Sequence, residues 1–320
     1  MIEQGKSPEF QETPKSEFVA KLERLWERGN FVCVGLDSDY DLIPESIKEI
    51  KSYKNDGIYD IGHFNCEIVK ATHDLVCAYK LNLGFYENNS QAEQALGHTV
   101  EFIHRWYPDI PVIGDNKVAD IGNTNLGYVS KLFDRYKFDA ATVNPYLGKE
   151  ALAPFLARKD KGIIVLVKTS NSGAGEFQDL RIPLMDLSRD EREFFLNTPG
   201  VLPRNEELGA ASVALYQLMG HHVSALWNEN GNCAIVVGAT YPKELAEVRA
   251  IVGDMPILIP GIGVQGGEVE ATVKAGKDNR GWGMIINSSR GIIFASKGPD
   301  FAEAARRETQ RLREEINKYR

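Results

Sequence analysis

Eight short, almost continuously apolar runs punctuate the chain, at residues 31–36, 76–81, 112–116, 141–143, 162–167, 233–237, 257–260 and 284–287. They do not alternate apolar with polar, as a strand with one wet face would. Continuous apolar strands belong to parallel sheets covered on both faces. Helical spacing fills the stretches between them, as in 58–75, 92–107, 206–219 and 242–252. The closing segment 301–319 keeps Phe301, Leu312 and Ile316 among Glu and Arg residues placed at i, i+4, which predicts a surface helix. Strand–helix units in this number predict an α/β fold, a (β/α)8 TIM barrel forming a single domain over 21–320. A doubly wound sheet would share the pattern. Residues 1–20 read as a polar N-terminal arm. The stretch from about 171 to 232 is too long for a simple connection and predicts an insertion with a lid near its start and extra helices beyond.

Composition narrows the function classes. The 320 residues carry 37 Lys+Arg against 45 Asp+Glu, a net charge of −8, which argues against nucleic-acid or anionic-membrane partners. No apolar stretch is long enough to cross a bilayer, and residues 1–16 lack the apolar core of a signal peptide. Cys33, Cys66, Cys77 and Cys233 form no CxxC pair and read as reduced core thiols, which suits the cytoplasm. His221-His222 read as surface or cap residues, because neighbours on a helix point about 100° apart and rarely share one metal. Trp106, Trp227 and Trp282 read as packing residues.

In a barrel, chemistry collects at the C-terminal strand ends. Those ends carry Asp37, Ser38 and Asp39, then Lys80 and Asn82, then Asp115-Asn116-Lys117 followed by Asp120 and Thr124. Further on come Asn144, Thr169-Ser170-Asn171, the run from Gly261 to Gly267, and Ser289-Arg290-Gly291. Glycines after the seventh run let backbone N–H groups approach an anion, and Arg290 can hold a phosphate through parallel hydrogen bonds. The same glycines fit G-x-G-x-x-G, but the next strand end offers Asn287 where a dinucleotide site would want an acid. A phosphate loop fits better than an NAD site.

Lys80, Asp115, Lys117 and Asp120 place two charges of each sign at neighbouring strand tips. As a mere ion-pair network they would hold two strands together. Gathered at the catalytic end, they point to function. A carboxylate held between two ammoniums stays ionised, and a rigid carboxylate–ammonium pair can strain a bound anion and deliver a proton.

Asp115-x-Lys117-x-x-Asp120-Ile121 resembles the signature of the orotidine 5′-phosphate decarboxylase family. So do Gly35-Leu36-Asp37, Tyr79-Lys80, Thr169-Ser170-Asn171, the run Pro260 to Gly267, and Ser289-Arg290-Gly291. Asn144-Pro145-Tyr146 and the run Val237 to Pro242 resemble its longer bacterial-type branch. The resemblance implies a barrel, working without metal or cofactor, that converts orotidine 5′-phosphate to UMP and CO2 in pyrimidine biosynthesis. It implies catalytic roles for Lys117, Asp115, Lys80 and Asp120. It further implies a homodimer in which Asp120 reaches the partner's site. Asp37 and Thr124 would contact ribose hydroxyls, Ser170 the pyrimidine, and Gln265 and Arg290 the phosphate. Two other readings use the same barrel. A Mg-dependent sugar-phosphate decarboxylase or lyase would need a carboxylate where Lys80 stands. A non-catalytic phosphate-binding barrel would have no use for the four charges.

Overall fold

The β-branched residues of the apolar runs suit a sheet buried on both faces, and there they form strands. The computed structural model describes residues 15–48, 57–87, 90–202, 211–262 and 269–320. Ten strands are present among them: β1 Val32–Gly35, β2 Val76–Asn82, β3 Val112–Val118, β4 Ala140–Val143, β5 Gly162–Lys168, β6 Arg181–Pro183, β7 Ser212–Ala214, β8 Cys233–Val237, β9 Ile257–Pro260 and β10 Met284–Ser288. Eight of these, all except β6 and β7, pair in parallel and close into a barrel in the order β1-β10-β9-β8-β5-β4-β3-β2. Closure leaves no free edge in this sheet. Ile163, Ile164 and Val165 are wholly buried, and burial of each such side chain stabilises the fold by roughly 1.5–3 kcal/mol.

The barrel confirms the expected strands, each within two residues of the apolar run that announced it. Helices cover the outside. The helix Pro242–Val252 opens with proline in its first turn and stops at Gly253, whose φ of 63° is the left-handed value glycine tolerates. Phe301–Tyr319 forms the closing helix with Phe301, Leu312 and Ile316 turned inward.

Other expectations need correction. Residues 17–20 are not part of an arm. They begin the helix Glu17–Glu27, capped by Ser16, and Phe18 and Val19 are buried. The physical reason is steric fit: Phe18 lies against Gly162 so closely that a Cβ there would meet its ring at 2.3 Å. The stretch 206–219 is not one helix. Residues 203–210 lie outside the described residues, Ser212–Ala214 is a strand, and the helix starts only at Leu215. Trp106 is 61% exposed rather than packed. His221 is buried against the ring of Phe194, with centroids 4.1 Å apart, while His222 pairs with Glu191 at 2.7 Å.

The long insertion after β5 carries structure of its own. β6 and β7 form an antiparallel pair, and the helix Arg189–Asn197 starts with a reciprocal Ser188–Glu191 capping box. The four cysteines are free and buried.

Candidate active site

The C-terminal ends of the barrel strands open into a cavity of about 1150 Å³. Asp37, Lys80, Asp115, Lys117, Ser170 and Arg290 all line it, together with Asn82, Thr142, Gln178 and Asn287. β2 and β3 set the register of its charged wall, because Asn82 lies opposite Asp115 and Lys80 opposite Ile113. Lys80 and Asn82, two apart, therefore share one face.

Asp115 sits at the centre. Lys80 Nζ donates to its Oδ2 at 2.9 Å and Lys117 Nζ to its Oδ1 at 2.6 Å. Lys80 also lies 3.6 Å from Asp37. Burial alone would push the Asp115 carboxyl up, but the ammoniums of Lys80 and Lys117 outweigh it and hold the group well below the usual carboxylate range. Burial alone would lower Lys80, but Asp115 and Asp37 outweigh it and raise its pKa. The two lysines differ in access. The Lys80 side chain is 4% exposed and that of Lys117 is 46% exposed. Both lysines line the cavity, and Lys117 offers it far more of its surface than Lys80 does.

The backbone is shaped for this. Lys117 has φ 52°, a left-handed conformation uncommon for a residue with a side chain. Asp37 sits on a loop braced from below by a buried network. Ser38 Oγ donates to Asn65 Oδ1 at 2.6 Å, and Asn65 Nδ2 donates to Tyr86 at 3.1 Å and Thr99 at 3.0 Å. Tyr86 in turn donates to the carbonyl of Leu36. Each of these side chains is satisfied within the protein, which makes the network rigid.

The rim after β5 is tied to the insertion. Gln178 accepts from Thr169 N at 3.0 Å and donates to Thr169 Oγ1 at 2.9 Å. The buried Lys168 reaches Asp179 at 2.5 Å and lies over the ring of Tyr241, 4.8 Å from its centre. Ser170 rests directly on Gly238, where a Cβ would come within 2.8 Å of it, so a side chain there would lift the rim. Arg290 begins the short helix Arg290–Ile293 just past β10 and faces the same cavity.

Not every candidate meets here. Asp120 and Thr124 do not line this chain's cavity. Asp120 is half-buried, Thr124 is exposed, and Asn125 bonds both the N–H and the carbonyl of Asp120. Gln265 and the glycine run 263–267 lie outside the described residues. Sequence reasoning missed Thr142 and Gln178. Thr142 did carry a signal, a hydroxyl inside an otherwise apolar strand. Gln178 carried none, since its placement depends on how the insertion folds back. Among the described residues no group of three or more His, Cys, Asp or Glu gathers as a metal set would. The Cys33 thiol, pushed up to about 12 by burial, is no nucleophile here.

A closed parallel barrel with a lysine–aspartate–lysine cluster lining the cavity at its mouth has the architecture of a (β/α)8 enzyme. Residues 30–307 match the "Orotidine 5'-phosphate decarboxylase / HUMPS family", and the chain belongs to that family. A relative from Cellvibrio japonicus named orotidine 5′-phosphate decarboxylase is 42% identical over 301 residues, covering 94% of this chain and 98% of that one. Among solved structures, Leishmania donovani OMP decarboxylase superposes with a TM-score of 0.70 at 29% identity, over 92% of this chain and 98% of that one. Leishmania donovani UMP synthase superposes with a TM-score of 0.74 at 31% identity, over 96% of this chain. The chain spans 56% of that longer protein.

Proposed function

We infer that this chain decarboxylates orotidine 5′-phosphate to UMP and CO2 in de novo pyrimidine biosynthesis, using neither metal nor cofactor. The observation that carries this reading is Asp115 clamped between Lys80 and Lys117, two lysines that both line the cavity, with Lys117 far the more exposed. Breaking the C6–carboxylate bond leaves an electron pair in the plane of the pyrimidine, where the ring carbonyls cannot delocalise it. The Lys117 ammonium stabilises that pair and then donates its proton to C6. Asp115 faces the departing carboxylate, and repulsion between the two raises the bound ground state until CO2 leaves. Lys80 keeps Asp115 charged. It also occupies the space between Asp37 and Asp115 that a divalent cation would need, which disfavours the Mg-dependent reading.

Asp37 holds the ribose, Ser170 the pyrimidine, and Arg290 with Gln265 the phosphate. Loss of orotidine 5′-phosphate absorbance on adding purified protein tests the activity, and the rate is expected to be the same with and without chelator. Arg290→Ala is expected to raise KM for orotidine 5′-phosphate by about 100-fold, as loss of a charge-assisted bidentate contact of about 3 kcal/mol requires. An unchanged KM would remove Arg290 from the phosphate site.

The working unit in this reading is a homodimer in the cytoplasm. Ile121 is 66% exposed, Leu126 56% and Tyr146 84%; Leu126 lies on the helix Gly122–Val129, while Ile121 and Tyr146 stand just before that helix and before the helix Gly148–Leu156 that packs against it. Such an apolar patch suits a self-complementary contact. Through it Asp120 and Thr124 enter the partner's cavity, where Asp120 orients Lys117. Lys117→Ala and Asp120→Ala proteins, each inactive alone, are then expected to recover about one quarter of wild-type activity when mixed and allowed to exchange subunits. Half the dimers are mixed, and each mixed dimer restores one of its two sites. No recovery, with mixed dimers demonstrated, would keep Asp120 in its own subunit. The four buried free cysteines and the lack, among the described residues, of a helix able to cross a membrane suit a reducing interior.

A further inference from the structure

β3 is irregular where its chemistry lies. Gly114 pairs with Ala141 and Val118 with Val143. Asp115, Asn116 and Lys117 therefore all face Thr142, a bulge in which three residues oppose one. A bulge takes backbone N–H groups off the ladder, and each must find another acceptor. Both find the same atom. Asn116 N and Lys117 N each donate to Thr142 Oγ1 at 3.0 Å. The Thr142 hydroxyl then donates to Asp115 Oδ1 at 2.9 Å, on the oxygen that Lys117 Nζ also holds. A hydroxyl has one donor and two acceptor positions, and here all three are used. Thr142 is 1% exposed, so water cannot easily replace any of these bonds.

We propose that Thr142 is a positioning residue for decarboxylation: its hydroxyl holds the left-handed backbone of Lys117 and the carboxylate of Asp115 in one geometry. This rests on Lys117 and Asp115 being the reacting pair. Without the hydroxyl, two N–H groups in the bulge lose their acceptor, and the backbone of Lys117 loses the bond that holds its N–H at φ 52°. The ammonium then moves relative to C6 while the ribose and phosphate contacts remain.

Two substitutions separate the hydroxyl from the side chain's bulk. Thr142→Val keeps the shape and removes the hydroxyl. Thr142→Ser keeps the hydroxyl and removes a methyl. The expected result is a kcat loss of about 10- to 100-fold in Thr142→Val, the scale of a displacement near 1 Å. KM and UMP affinity should stay within about threefold, and Thr142→Ser should retain most of kcat. Normal kcat in Thr142→Val overturns the proposal. So does an equal loss in both variants, or a loss of UMP affinity matching the loss of kcat, since either would make Thr142 a packing residue. If Thr142→Val does not fold, Thr142→Ala takes its place against Thr142→Ser, and equal kcat values again overturn the proposal. Wild-type turnover with a dead Lys117→Ala enzyme establishes the underlying chemistry separately. An active Thr142→Val enzyme beside that dead one would defeat this inference alone.

Discussion

Lys117→Ala is expected to lower kcat by roughly 10^4-fold or more while UMP still binds. Two effects disappear together. A positioned proton donor contributes about 10^2- to 10^4-fold, and stabilisation of developing charge by a placed donor about another 10^2- to 10^3-fold. Lys80 is a poor substitute, because its ammonium is nearly sealed and held between Asp115 and Asp37. Product affinity depends on groups elsewhere in the cavity, so UMP binding measured by calorimetry should change little. Lys80 still neutralises Asp115 and the lost side chain was half exposed, so the barrel should melt closer to its wild-type temperature than a Lys80→Ala variant does. Near-normal turnover would reject Lys117 as the proton source. Loss of UMP binding in a folded protein would mean that Lys117 anchors the ligand instead.

Lys80→Ala carries the second largest effect, and it acts on stability as well as on rate. Removing one partner of a buried pair typically costs about 3–5 kcal/mol. Here the lower end applies, since Lys117 still neutralises Asp115. Asp37 and Asp115 then face each other with one cation fewer. The pH dependence has a definite sign. In the wild type the Asp115 pKa lies below its unfolded value, so its contribution to stability is present above the ordinary carboxylate range and fades as pH falls through the depressed value. In Lys80→Ala the carboxyl pKa climbs. The acid limb of kcat should move to higher pH, and acid unfolding should begin earlier. Urea melts and rate profiles between about pH 4 and 7 read both. A variant with wild-type stability and an unmoved acid limb would show that Lys80 does not govern the charge of Asp115.

The barrel was legible because each of its strands is announced by a short, nearly continuous apolar run. The motif spacing also placed Lys80, Asp115 and Lys117 on adjacent strand tips, and the structure joins them within 3 Å. Other features depend on contacts between distant segments, which local pattern does not encode. Phe18 is one aromatic in a polar-looking start until it meets Gly162 across the barrel. Residues 206–219 have helical spacing, yet β7 is fixed by pairing with β6 about thirty positions earlier. The bulge in β3 is a register fact, invisible without β4 beside it. The hydroxyl of Thr142 stood out in an apolar strand, but the bonds it makes could not be read without that register.

The insertion after β5 is more than an appendage. Gln178 and Asp179 grip the two residues that lead into Ser170, so the rim's resting shape is set partly by sequence outside the eight-unit frame. Pruning this chain toward a minimal scaffold would therefore uproot part of the mouth. A shortened descendant would have to reinvent both grips to keep Ser170 where it now stands.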